Sequence, residues 1–187
     1  MPPRLLLPLL SAFVLLRVPD GRAAEEDFLV SVHADAARTV SCVEGGAGDA
    51  LGFVVSAQLP EDRGAIYVTL RFDFPENIRL VGRPVLPPNA VDVIVTEFVD
   101  GVEWNVFFID CPTGWFEVVR QDFEVLDRTP TRIAVEHAHS LVRDCDLVLH
   151  DVRPGDVLGI NDPRCGGVST QRSSWSSLKW RQGRRTP

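Results

Sequence analysis

The sequence predicts an all-β protein, an antiparallel β-sandwich of two packed sheets, and three observations carry the prediction. Apolar and polar residues alternate through the body at the two-residue period of a half-buried strand. Clusters of turn-forming residues separate these runs at short intervals. No stretch between Glu25 and Cys165 holds a helical period over three turns.

At the N-terminus, Arg4 precedes the apolar run Leu5–Leu16, and a polar stretch then leads to Ala23-Ala24. This is the charged, apolar, small-residue order of a secretory signal peptide, too short to span a bilayer. Cleavage is expected after Ala23, with Gly21 and Ala23 in the small-residue slots. A signal peptide over 1–23 leaves 164 residues, enough for one domain with its own core over 24–165. A linker and tail follow over 166–187. The expected location is extracellular or at the cell envelope, with no transmembrane segment.

Strand alternation starts at Phe28–His33 and returns in Phe53/Val55/Ala57/Leu59. In Ala65–Phe72 it sets Ile66, Val68, Leu70 and Phe72 on one face and Tyr67, Thr69 and Arg71 on the other. Asn77–Val81 is a shorter run. Val91/Val93/Val95 and Trp104/Val106/Phe108 alternate again, and Phe107 and Ile109 make the latter apolar on both sides. Trp115–Val119, Asp122–Leu126, Arg132–Ala138 and Asp146–Asp151 complete the set of roughly ten expected strands. Between them lie Pro60–Gly64, Pro84–Asn89, Asp100-Gly101, Pro112–Gly114 and Pro154–Asp156. Asp100-Gly101 predicts a type I′ hairpin turn, because that pair tolerates the positive φ angles involved. No repeat at a fixed period is present, which disfavours a propeller or solenoid.

Four cysteines in an exported chain predict two disulfides. Three pairings are open. Cys111 with Cys145 is preferred because each adjoins a strand-like run, and Cys42 with Cys165 because it ties down both ends. No C-x-x-C spacing occurs, which argues against a redox motif or a zinc knuckle.

Residues 24–165 hold 25 acidic and 11 basic residues, a balance of −14, whereas 166–187 hold five basic residues and no acidic ones. Such a body repels nucleic acid and anionic lipid, and such a tail seeks an acidic surface. Lys179 is the only lysine. Within the tail, Ser173–Arg181 predicts a short serine-capped helix with Trp175 and Leu178 on one face.

Chemistry-bearing candidates are few. His137-Ala138-His139 places two imidazoles on one face if the strand continues that far, with Asp144, Asp146 and His150 nearby in sequence. Histidine and carboxylate suit zinc or copper, but a site needs three or four convergent ligands, and the spacing implies only the pair. Asp144, Asp146, Asp151 and Asp156–Asp162 offer hard oxygen ligands for calcium without an EF-hand spacing. Trp115, after the Pro112-Thr113-Gly114 turn, offers a flat ring for stacking a sugar, while Trp104 belongs in the core. There is no Gly-x-Ser-x-Gly, no His-Glu-x-x-His and no phosphate-cradling glycine loop. No catalytic residue and no cofactor is assigned.

One resemblance adds to this. The tail pattern of serines, Trp175, Leu178 and Lys179 resembles a C-terminal motif of uncharacterised secreted bacterial proteins built on a single cohesin-like or immunoglobulin-like sandwich. Asp110-Cys111-Pro112-Thr113-Gly114-Trp115 and Asp144-Cys145 are similar to patterns in the bodies of such proteins. Ser176 stands where Gly often follows the tail tryptophan, and Gln182–Pro187 run past the usual end. The resemblance implies an extracellular β-sandwich with no known activity. The expected function is thus a non-enzymatic surface, matrix or protein-interaction module, whose partner is another extracellular protein or a cell-surface component. Trp175, Leu178 and Lys179 are its expected docking element. A carbohydrate-binding module using Trp115 and a metal-dependent hydrolase around His137 and His139 are the alternatives.

Overall fold

A computed structural model describes residues 28–165, so the expected leader and tail, with Trp175, Leu178 and Lys179, lie outside the described residues. Its strands are β1 (Phe28–His33), β2 (Cys42–Val43), β3 (Ala50–Gln58), β4 (Ala65–Asp73), β5 (Ile78–Val85), β6 (Ala90–Glu97), β7 (Gly101–Phe108), β8 (Trp115–Val125), β9 (Thr131–Ile133), β10 (Leu141–Asp144), β11 (Leu149–Pro154) and β12 (Leu158–Ile160). Helix among the described residues is confined to two 3₁₀ turns, His137–His139 and Pro163–Cys165.

The prediction of two layers holds, with a difference in how they connect. Nine strands form one sheet in the order β5-β8-β3-β1-β11-β10-β4-β7-β6, and β2-β12-β9 form a second, small sheet. The long sheet rolls on itself, because β11 pairs parallel to β1 on one side and antiparallel to β10 on the other. Its two halves then face each other across the core. Phe53 of β3 stacks on Trp104 of β7 at 5.9 Å between ring centroids, and Phe108 of β7 meets Phe116 of β8 edge-on at 5.3 Å. The small sheet adds Val43, Ile133, Leu158 and Ile160 to the same core.

Alternation explains which side chains turn inward. Val68, Leu70 and Phe72 of β4 and Val102, Trp104 and Val106 of β7 are at most 2% exposed, while Tyr67, Arg71, Glu103, Asn105 and Phe107 point the other way. Trp115–Val119 and Asp122–Leu126 prove to be one long strand, β8, bent by a register shift opposite Val55/Ser56. The buried Gln121 amide donates to the carbonyls of Val81 and Asp122, so this polar group is satisfied inside the sheet.

Three expectations are corrected. The Arg132–Ala138 strand stops at Ile133, and His137–His139 curl into a 3₁₀ turn. Ser140 causes the change: its hydroxyl donates to the Glu136 carbonyl and accepts the Arg71 N–H of β4. The β6–β7 turn is not type I′, since neither Asp100 nor Gly101 has a positive φ. Gly101 is needed for a different reason: a Cβ there would lie 2.0 Å from the Phe72 carbonyl oxygen. Of Val91, Val93 and Val95 only Val93 packs against the core: Val91 falls in the register shift between Ala90 and Asp92, and Val91 and Val95 are both exposed on this edge strand.

The two edges of the long sheet differ. β5 is blunted by Gly82 in a positive-φ bulge (φ 73°), by Pro84 and by two arginines, devices that discourage further pairing. Beyond its bulge, β6 runs on regularly, with Val91, Ile94 and Val95 exposed.

Candidate interaction surface

The outer faces of the two halves are unlike. On the β5-β8-β3-β1 half, Ser31, His33, Val54 and Ser56 point away from the core yet are buried. His33 Nε2 lies 3.1 Å from Asp156, and Ser31 Oγ accepts the Asp156 N–H at 3.0 Å. The β10-β4-β7-β6 half is open. Cross-strand pairing sets Tyr67 opposite Phe107 and Arg143, Thr69 opposite Asn105 and Leu141, and Ile94 opposite Asn105.

At the centre of this open face, Asn105 gathers its neighbours. Its side-chain oxygen accepts from the Tyr67 hydroxyl and from Thr69 Oγ1 at 2.9 Å, and its amide donates to Glu103 at 3.0 Å. The Tyr67 and Phe107 rings lie 4.8 Å apart. Thr69 is buried, while Tyr67, Glu103, Asn105 and Phe107 are only half-buried, so the cluster's geometry is fixed while much of its surface stays available. Such pre-organisation lowers the entropy lost on binding. Neither Asn105 nor Phe107 stood out in the sequence as a site residue, because their partners come from a strand that is not adjacent in the chain.

The other candidates are dispersed. His137 and His139 are exposed, and His139 Nδ1 engages Glu136 at 2.9 Å. Asp144 is buried: one oxygen accepts the N–H groups of Asp146 and Val148, and the other lies 2.7 Å from His150 Nε2. It closes a turn. Among the described residues no three His, Cys, Asp or Glu side chains converge on a point where a metal would sit. Trp115 is 39% exposed, but the Arg38 guanidinium lies 4.4 Å over its ring and occupies one stacking face. The sulfurs of Cys42 and Cys165, and of Cys111 and Cys145, are within disulfide bonding distance.

A carboxylate also holds one end of the small sheet. Asp162, nearly buried, accepts the Arg164 N–H at 2.9 Å and is clamped by the Arg132 and Arg164 side chains, which holds its pKa well below the usual carboxylate range. For Asp144 burial pulls upward, but the hydrogen bonds from His150 and the Val148 N–H outweigh it and the net shift is downward. Both groups are therefore more acidic folded than unfolded. Their contribution to stability is complete above the unfolded value of about 3.9 and is lost as pH falls below it through the depressed folded values. Thermal melts should show a midpoint that falls as pH drops from about 4 to 2, with a shallower fall in Asp162→Asn. An unchanged slope in that variant would remove Asp162 from the account.

No protein-family model and no curated protein sequence matches the chain. Its rolled nine-stranded sandwich has the cohesin fold. Among solved structures it is similar to the cohesin module of a family 33 glycoside hydrolase from Clostridium perfringens ATCC13124, at 14% identity over 73% of this chain and 98% of that one, with a TM-score of 0.57. The sixth cohesin of scaffoldin B from Acetivibrio cellulolyticus, solved in complex with a mutant Cel5 dockerin, is 10% identical over 73% of this chain and 99% of that one, TM-score 0.56. A type I cohesin–dockerin complex from Clostridium thermocellum is 13% identical over 76% and 99%, TM-score 0.55.

Proposed function

We propose that this protein is an exported, non-enzymatic docking module that binds another protein through the open face of β10-β4-β7-β6. The observation that carries the reading is the fixed Tyr67–Asn105–Phe107 cluster on a sheet face free of covering segments among the described residues. Two of the similar folds were solved holding a dockerin, which supports a protein as the partner class. The two cysteine pairs suit an oxidising location, in keeping with the leader-like N-terminus. In the same reading Trp175, Leu178 and Lys179 form a docking element toward the cell envelope.

The test is a binding measurement on the partner recovered from the producing cell's exported fraction. Phe107→Ala should weaken it by about 30-fold or more, as for a central interface aromatic. Arg79→Ala, on the blunted β5 edge, should leave it unchanged. Equal loss in both variants, or glycan binding abolished by Trp115→Ala with no protein partner, would overturn the reading.

A further inference from the structure

We infer that the C-terminal segment 166–187 covers the β6–β7 hairpin of its own molecule. From Pro84 to Val119 the chain carries six acidic residues and no lysine, arginine or histidine. β6 and β7 lie within this stretch. Exposed apolar side chains concentrate there as well: Ile94 is 52% exposed, Phe98 42% and Val99 fully exposed, with Val91 and Val95 beside them. The hairpin therefore presents apolar groups in a field of one sign. Arg71 of β4 reaches its tip, 3.8 Å over the Phe98 ring and 3.2 Å from Asp100, and offsets one charge. Asp92, Glu97 and Glu103 remain.

A ligand for that surface must be basic and must carry large apolar groups. Segment 166–187 is both. It holds five basic residues, no acidic one, and Trp175, Leu178 and Trp180. Reach is no obstacle. Its 22 residues span up to about 70 Å extended, against a radius of gyration of about 14 Å for a body this size. Its root is fixed, because Cys165 is bonded to Cys42. Tethering sets an effective concentration of about 1 mM, so a weak intrinsic contact is enough to hold the segment in place. In this arrangement the hairpin contact and the envelope-directed docking of Trp175, Leu178 and Lys179 compete for the same segment.

Hydrogen exchange on the full secreted chain, with no partner present, tests this independently of the docking reading. Amides over 91–99 should exchange about five-fold slower in the wild type than in W175A/W180A. Amides over 173–181 should lose protection in D92K/E97K. About 1 M salt, with a Debye length of about 3 Å, should remove most of the effect. Equal rates over 91–99 in the wild type and the tail variant, with unchanged near-ultraviolet circular dichroism, would overturn the inference. So would protection that grows when the protein is concentrated about tenfold, since that marks a second molecule's tail. W175A/W180A leaves the sequence of residues 28–165 unchanged, so the test stands even if D92K/E97K fails to fold.

Discussion

Replacing Trp104 with alanine should lower the free energy of unfolding by about 3–5 kcal/mol, a large part of a typical domain's total. Trp104 is fully buried on β7 at the meeting point of the two halves of the sheet. Its ring lies 5.9 Å from Phe53 and 4.9 Å from Phe72, and Phe53 in turn contacts Phe123 of β8. Alanine leaves a void walled by strands whose hydrogen bonds prevent collapse, so the cavity cost adds to the lost transfer energy. The indole N–H is buried without a hydrogen-bond partner. Trp104→Phe removes that unpaired donor as well as some volume, so it should cost clearly less, below about 2 kcal/mol. Urea unfolding of both variants checks this. Equal losses would mean that the retained phenyl ring recovers nothing, so that contacts specific to the indole and not cavity volume decide the site.

The same residue shows what could be read from the chain. Trp104, Val106 and Phe108 alternate, and that alone placed the indole inside. Phe28–His33 matches β1 residue for residue for the same reason. The limits are equally local. Leu141-Val142 of β10 and Leu158-Gly159-Ile160 of β12 are apolar without alternation, so neither carried a strand signal. The 3₁₀ turn at His137–His139 depends on Ser140 contacting β4, a tertiary bond between residues 69 apart in the chain. The candidate surface was half visible. Tyr67, Thr69 and Arg71 were legible as the outer face of β4, and Phe107 as an apolar residue on the outer side of its strand. That Asn105 sits opposite Thr69 follows from pairing β4 with β7 across an intervening β5 and β6, and no local pattern encodes that register.

Removing the Cys42–Cys165 bridge should cost about 4–5 kcal/mol, and removing Cys111–Cys145 about 1 kcal/mol less, on the chain-entropy account. The bridges close segments of 123 and 34 residues, and the constraint on the unfolded chain grows with the logarithm of that length. The folded side of the balance points the same way. Cys42 belongs to the two-residue strand β2, which pairs with the three-residue β12, and the Cys165 sulfur packs against Gly159 of β12 so closely that a Cβ there would lie 2.8 Å away. Strands this short contribute few hydrogen bonds, so the bridge and the buried Leu158 and Ile160 hold the small sheet. Urea unfolding of Cys42→Ala/Cys165→Ala and of Cys111→Ala/Cys145→Ala gives the order, and hydrogen exchange over 158–165 locates the loss. A larger loss from the shorter bridge would place the effect in local packing around Gly64 rather than in chain entropy, because a Cβ at Gly64 would lie 2.3 Å from the Cys111 carbonyl oxygen. Either order leaves a fold whose stability leans on oxidised cysteines, and such a fold keeps its margin only where disulfides persist.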